Sequence, residues 1–409
     1  MVSSPSLLPY PKDEAAVHNV EQKPKPPKHV PIVQPLDPKL LVGKERIIQI
    51  IREANMGESL TPEIVSQLPT WQQVVDRLGP KPKIFGLESC AAFQSTIPPE
   101  EAFVAPAGAF NSGTNLMAEL LIANCFNPAR RKKYKTNGVR WQVNWGKHQP
   151  PKYRLDQTVY EDKSVHMPNE NILPVVTIRD PYMWFQSLCR NRYATHWFHE
   201  VNFHCPNLVP NHVEYEFLPQ ALDGSYKRNR VDLHHKDPWL VDNVMDTANF
   251  TMEHKTIPVY VKYNRETTNH DSLAHMWNDW YHDYYNATFP RVIVRYEDLL
   301  FYAKEVTQAA CRCFGGRLVP QFTYIGHSAK VGDIHMNKTS LIDNMIKFNR
   351  NTDMDRVKGM TQDDLAFAKV NLAHDLMKSF AYRHPKGNQK KKKQKKMTKK
   401  SRKKRAQVS

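Results

Sequence analysis

No run of about 18 apolar residues occurs in the 409-residue chain, so no helix-length membrane span is visible. The opening residues, MVSSPSLLPYPKDE, lack the basic-then-apolar pattern of a signal peptide. Six cysteines, Cys90, Cys125, Cys189, Cys205, Cys311 and Cys313, are scattered and form no C-x-x-C pair. That spacing indicates neither a zinc ribbon nor a disulfide scaffold. The histidines are clustered (His196, His199, His204, then His234 and His235) but match no common zinc spacing, so no metal is expected. Acidic residues are missing altogether between Lys386 and Arg405, where 13 basic residues account for all but four of the net charge of +17. The body is therefore only mildly basic, and the strong charge belongs to the tail.

What is present reads as one large α/β domain with extensions. Residues 1–38 hold nine prolines and little apolar material, the composition of a disordered arm. Residues 39–82 read as a helical lead-in. Ile47, Ile48, Ile50 and Ile51 form its apolar stretch, Thr61-Pro-Glu63 is a cap with proline at the first helical position, and Thr70 to Gln73 fits a capping box closed off by Gly79-Pro80. The main domain is expected over 83–383. Its apolar runs Phe103–Pro106, Leu173–Ile178 and Arg291–Arg295 read as buried strands, each followed by a helical pattern, which predicts a central parallel sheet with crossover helices. Residues 196–262, rich in His, Asn and Pro, read as an insertion or substrate-side loops, and 384–409 as a structureless basic tail.

Three segments carry chemistry. In Phe103-Val-Ala-Pro-Ala-Gly-Ala-Phe-Asn-Ser-Gly-Thr-Asn a strand enters a small-residue loop and then a helix, which aims backbone N–H groups at a phosphate. Gly108 and Gly113 have the spacing of a nucleotide-triphosphatase loop. However, Thr114 stands where that motif has Lys, and Asn115 where it has the magnesium-binding Ser or Thr, which weighs against ATP or GTP hydrolysis. In Val175-Val-Thr-Ile-Arg-Asp-Pro, Arg179 ends a strand and can fork onto a phosphate, with Ser187 two turns into the next helix; pairing with Asp180 or Glu297 is the competing use of that guanidinium. The third, Trp277 to Tyr285 followed by Arg291-Val-Ile-Val-Arg-Tyr-Glu-Asp-Leu, reads as core aromatics and a strand whose Glu297 and Asp298 anchor loop backbone.

In this order and spacing, the three segments resemble the sulfotransferase superfamily over roughly residues 100–315. The resemblance implies a three-layer α/β/α, P-loop NTPase-like fold and transfer of a sulfuryl group from 3′-phosphoadenylyl sulfate (PAPS) to a hydroxyl or amine. Asn111, Ser112, Gly113, Thr114 and Asn115 would hold the 5′-phosphosulfate, and Arg179 with Ser187 the 3′-phosphate. Trp145-Gly-Lys-His-Gln-Pro150 resembles the family's Lys-x-His-x-Pro segment, which makes His148 the expected base. The family's loop Lys or Arg is replaced by Asn111, a neutral amide. Lys147 is the expected substitute cation, with Arg130, Arg131 and Lys330 as alternatives. Lys330-Val-Gly-Asp333 faintly resembles the family's closing loop.

Acceptors implied are alcohols or carbohydrates. The sequons Asn249-Phe-Thr251, Asn286-Ala-Thr288 and Asn337-Lys-Thr339 lean towards a lumenal, carbohydrate-linked setting. Family analogy points to the Golgi lumen if an anchor precedes this sequence, and otherwise the cytoplasm or nucleus remains open. Two other functions compete: a nucleotide-binding protein of the same fold that has lost catalysis through Asn111, and a protein that meets nucleic acid, another anionic polymer or an anionic membrane through its tail.

Overall fold

The computed structural model describes residues 37–155, 167–198, 204–211, 214, 255–263, 266–327, 340–350 and 352–386. The proline-rich arm up to residue 36, residues 215–254 of the proposed insertion, Lys330 to Asp333, Asn249, Asn337, His199, His234, His235 and the tail beyond 386 lie outside them.

Four helices lead in: α1 Pro38–Leu41, α2 Glu45–Glu53, α3 Pro62–Gln67 and α4 Trp71–Leu78. The start signals in the sequence act as expected. Thr61 accepts a hydrogen bond from the Ile64 N–H ahead of Pro62, Thr70 and Gln73 close a capping box, and Gly79 ends α4 at φ +91°. Ile47, Ile48, Ile50 and Ile51 are buried in the same core as Val104, Leu173, Val175, Val292 and Val294, so the lead-in helices share the core on one face of the central sheet. Each such side chain contributes about 1.5–3 kcal/mol on burial.

The remaining elements follow in chain order. Strand β1 (Ile84–Phe85) and helix α5 (Cys90–Thr96) precede β2 (Phe103–Gly108), α6 (Thr114–Asn124), β3 (Cys125–Phe126) and α7 (Pro128–Tyr134). Next come β4 (Ile172–Ile178), α8 (Pro181–Arg190), β5 (Thr195–Trp197), β6 (Val259–Lys262), β7 (Thr267–His270) and α9 (Leu273–Tyr285). Strand β8 (Val292–Arg295) leads into α10 (Tyr296–Phe301), α11 (Ala303–Cys313) and β9 (Arg317–Leu318). Helices α12 (Leu341–Arg350), α13 (Asp353–Arg356), α14 (Gln362–Asn371) and α15 (His374–Ser379) complete the described chain.

The central sheet has the order β1-β8-β4-β2. The three expected strands pair in parallel, Phe103 opposite Ile172 and Val175 opposite Val292, but β1 runs antiparallel to β8. The sheet is therefore mixed rather than wholly parallel. Alternate residues serve opposite faces. Val104, Leu173, Val175, Val292 and Val294 point into one core, while Phe103, Ala105, Ile172, Val176, Ile178 and Ile293 point into the other. Burial on both faces explains why these strands read as continuous apolar runs. The proposed insertion is in part regular structure: β5, β6 and β7 form an antiparallel sheet of three strands.

The cysteine reading is overturned. All six are paired, as Cys90–Cys313, Cys125–Cys311 and Cys189–Cys205. Two of the bridges span 223 and 186 residues, so local spacing holds no trace of them. Cys313 and Cys311 fix α11 to α5 and to the end of α6, and Cys189 ties α8 to the segment after β5.

Candidate functional site

The parallel strands β2, β4 and β8 all deliver their C-terminal ends to one edge of the sheet, the usual ligand side of an open α/β sheet. The loop after β2 turns twice through the left-handed region, at Asn111 (φ +62°) and Gly113 (φ +95°). A Cβ on Gly113 would stand 2.3 Å from the Tyr296 ring, and one on Gly108 would stand 2.4 Å from the Ser112 and Thr177 hydroxyls, so both glycines are sterically required. Gly113 caps α6, and the N–H groups of Gly113 and Thr114 take no protein acceptor among the described residues. Helix dipole and unused N–H donors together favour an anion at this point.

Inside the loop the side chains divide their work. Ser112 is fully buried, its hydroxyl bonded to Ala109 O (2.7 Å) and Thr177 Oγ1 (2.9 Å), so it shapes the bend from within. Thr114 is buried at the first turn of α6. The Asn111 amide is turned to the end of α8, where it donates to Asn191 O (2.7 Å) and more weakly to Ser187 O (3.5 Å). Asn115 Oδ1 accepts a hydrogen bond from Lys147 Nζ at 2.7 Å, which brings that ammonium to the N-terminus of α6. Lys147 also lies 4.7 Å above the Trp141 ring. The other cations considered are committed elsewhere: Arg130 to Glu100 O, Thr136 and the Phe103 face, and Arg131 to Asn137 and the Phe126 face.

His148 follows Lys147 beside the same loop. Its Nδ1 is 2.8 Å from Gly108 O. A carbonyl oxygen only accepts, so in the neutral ring the proton sits on Nδ1 and Nε2 is the basic nitrogen. Phe110 stacks between the rings of His148 (4.6 Å) and Tyr193 (5.7 Å).

At the end of β4, Arg179 Nη1 donates to both Asn111 O and Ser187 Oγ at 3.0 Å, so it physically joins the loop to α8. Its guanidinium lies 4.6 Å over the Tyr296 ring, and its Nε is buried without a hydrogen-bond partner. The competing carboxylate pairing does not occur. Asp180 pairs with Arg356 at 2.8 Å, and Glu297 accepts from the Asp180 N–H and the Tyr382 hydroxyl.

Two cations escaped the sequence reading. Arg190 Nη2 donates to Ser187 Oγ at 3.1 Å; it lies three residues beyond Ser187, one helical turn away, a signal available in the sequence. Lys347 on α12 arrives from far along the chain, with no local signal. Burial and then the Arg179 charge pull Arg190 below the ordinary guanidinium value. Burial, then the Arg190 charge, lower the Lys347 ammonium, with the Asp343 carboxylate opposing and Arg179 adding a smaller push. Arg179 and Arg190 thus both donate to the Ser187 hydroxyl.

The aromatic helix does more than fill the core. The indole of Trp277 donates to Arg179 O (3.2 Å) and that of Trp280 to His148 O (3.2 Å), while Trp184 on α8 donates to Phe110 O (2.6 Å). Tyr281 donates to Thr177 O at 3.0 Å. The apolar bodies are buried while their polar ends pin the backbone of each site segment. Among the described residues no group of His, Cys, Asp or Glu could hold a metal ion. Comparison of the chain with protein-family models, with curated proteins and with solved structures found no match.

Proposed function

We propose that the chain is a sulfotransferase of the P-loop-like, three-layer α/β/α kind, taking a sulfuryl group from PAPS to a hydroxyl, with a carbohydrate as the favoured acceptor class. The observation that carries this reading is the contact of Arg179 with both the loop carbonyl at Asn111 and the Ser187 hydroxyl, which brings the two expected phosphate sites into one continuous surface. The residues fit such a donor: unused N–H groups at the start of α6 suit one phosphate, and Arg179 and Arg190, both bonded to Ser187, suit a second. The buried, unpartnered Nε of Arg179 is a donor still seeking an acceptor. PAPS, when bound, supplies the activated sulfuryl group.

The chain's own residues position and deprotonate. Lys147, held at Asn115, brings positive charge to the loop where Asn111 brings none. His148, with its proton fixed on Nδ1 by Gly108 O, offers Nε2 to take the proton of the attacking hydroxyl. Tyr193, exposed and stacked on Phe110, offers an aromatic surface nearby, suited to the C–H face of a sugar ring.

Two measurements test the reading. In a thermal-shift titration, 3′-phosphoadenosine 5′-phosphate should stabilise the protein, whereas ATP and GTP should not; equal stabilisation by all three removes the donor assignment. His148→Ala should lower kcat by about 10²- to 10⁴-fold with donor affinity retained. Turnover kept in that variant removes His148 as the base.

A further inference from the structure

Every cysteine of the chain is committed to a bridge. Forming three cystines passes six electrons and six protons to a disulfide-donating oxidant, which a secretory lumen supplies and a reducing cytosol does not. The sequence also carries three N-x-T sequons, of which Asn286-Ala-Thr288 falls on described residues. Asn286 caps the C-terminus of α9 at φ −89°, its backbone N–H bonded to His282 O at 2.9 Å. Asn286 and Thr288 are both exposed, and the Asn286 amide makes no side-chain hydrogen bond among the described residues. The acceptor nitrogen is thus presented to solvent on a tight turn, with its hydroxyl partner beside it.

We infer that Asn286 carries an N-linked glycan and that the chain matures in an oxidising secretory lumen. In the transfer, Asn286 Nδ2 bonds to the anomeric carbon of a lipid-pyrophosphate-linked oligosaccharide. The bond from that carbon to the pyrophosphate breaks, the lipid pyrophosphate leaves, and the amide loses one proton. The position also keeps the glycan out of the way. Asn286 feeds through Arg291 into the N-terminal end of β8, whereas Arg179 and the 111–115 loop sit at the C-terminal ends of the parallel strands. The four residues of β8 separate the two sides by about 13 Å at roughly 3.3 Å per residue.

The test uses the full-length chain isolated from its own cells with thiols blocked at lysis. Peptide mapping follows enzymatic glycan release in heavy-oxygen water. Asn286 is expected as heavy-labelled Asp, with all six cysteines protected from alkylation until reduction. An unlabelled Asn286 in a chain whose cysteines are paired overturns the glycan, and cysteines that alkylate without reduction overturn the compartment. Thr288→Ala should abolish the label and Thr288→Ser should keep it. A label that persists in Thr288→Ala overturns the site assignment, and the Ser variant guards against a misfolded negative.

Discussion

Cations take part in two regions of this molecule that are built in opposite ways. Around α10, Arg295 is fully buried and fully satisfied: Nε and Nη2 each reach Asp298 at 2.7 Å, Nη2 also reaches Leu78 O at 2.8 Å, and Nη1 reaches Phe380 O at 3.1 Å. At the ends of β4 and α8, Arg179 and Arg190 both donate to the Ser187 hydroxyl, and among the described residues neither forms a salt bridge with a carboxylate. Excess positive charge costs free energy in a half-buried place unless something negative arrives. The first region uses its cation to tie the lead-in helices to β8, while the second keeps its cations available for a ligand. Cationic charge alone therefore does not mark the site; the lack of a directly bonded carboxylate partner does.

The largest test of that contrast is Arg295→Ala. It strips Asp298 of its partner in a dry setting and should cost about 3–5 kcal/mol of folding stability, read by urea denaturation. The molecules that remain folded should bind 3′-phosphoadenosine 5′-phosphate as before. Arg179→Ala should do the reverse. Folding stability should move by no more than about 0.5 kcal/mol, because repulsion with Arg190 and Lys347 is relieved as the Asn111 and Ser187 contacts are lost. Donor affinity should fall about 10- to 100-fold by calorimetric titration, as expected for a charge-assisted hydrogen bond. An Arg179→Ala protein that unfolds easily yet binds the donor normally would break the comparison, because both arginines would then be structural.

Most of the strand-and-helix frame was legible because it rests on local physics. Thr61, Thr70, Asp180 and Gly79 mark helix ends by hydrogen bonds or φ values that each needs only nearby residues to satisfy. The apolar runs at β2, β4 and β8 were visible because burial on both faces leaves few polar residues to interrupt them. The loop at 111–115 and Arg179 were found for the same reason, since strand–loop–helix geometry is written in consecutive residues. What stayed hidden is long-range. Cys90 and Cys313 meet across 223 residues, and Lys347 joins Arg179 from a helix with no motif. The tryptophans of α9 were read as core, which their burial bears out, but the acceptors of their N–H groups lie about 100 residues away and no periodicity can name them. Asn111 was expected to help hold the 5′-phosphosulfate without bringing charge, whereas its amide is occupied in holding the end of α8.

The smallest expected effect separates the paired from the unpaired design by pH. His204 is buried between Glu214 (2.8 Å) and Asp364 (2.7 Å), with Asn211 also facing its Nδ1 at 2.9 Å. Burial opposes charge on the ring, but the hydrogen bonds and charges of Asp364 and Glu214 outweigh it and lift the imidazole from 6.5 to about 9. A group whose value is raised by folding binds its proton more tightly in the folded state. Its stabilisation is therefore complete below about pH 6.5 and is lost as pH rises through about 9. The urea midpoint should decline across that window, and His204→Gln should flatten the decline while lowering the midpoint at its acid end. The decline should be absent from the response to Arg179→Ala, because a guanidinium holds its charge throughout the window and its contacts are with a carbonyl and a hydroxyl. A midpoint that rises with pH in the unaltered protein would mean that His204 is buried neutral, and that its bonds to Asp364 and Glu214 are not ion pairs.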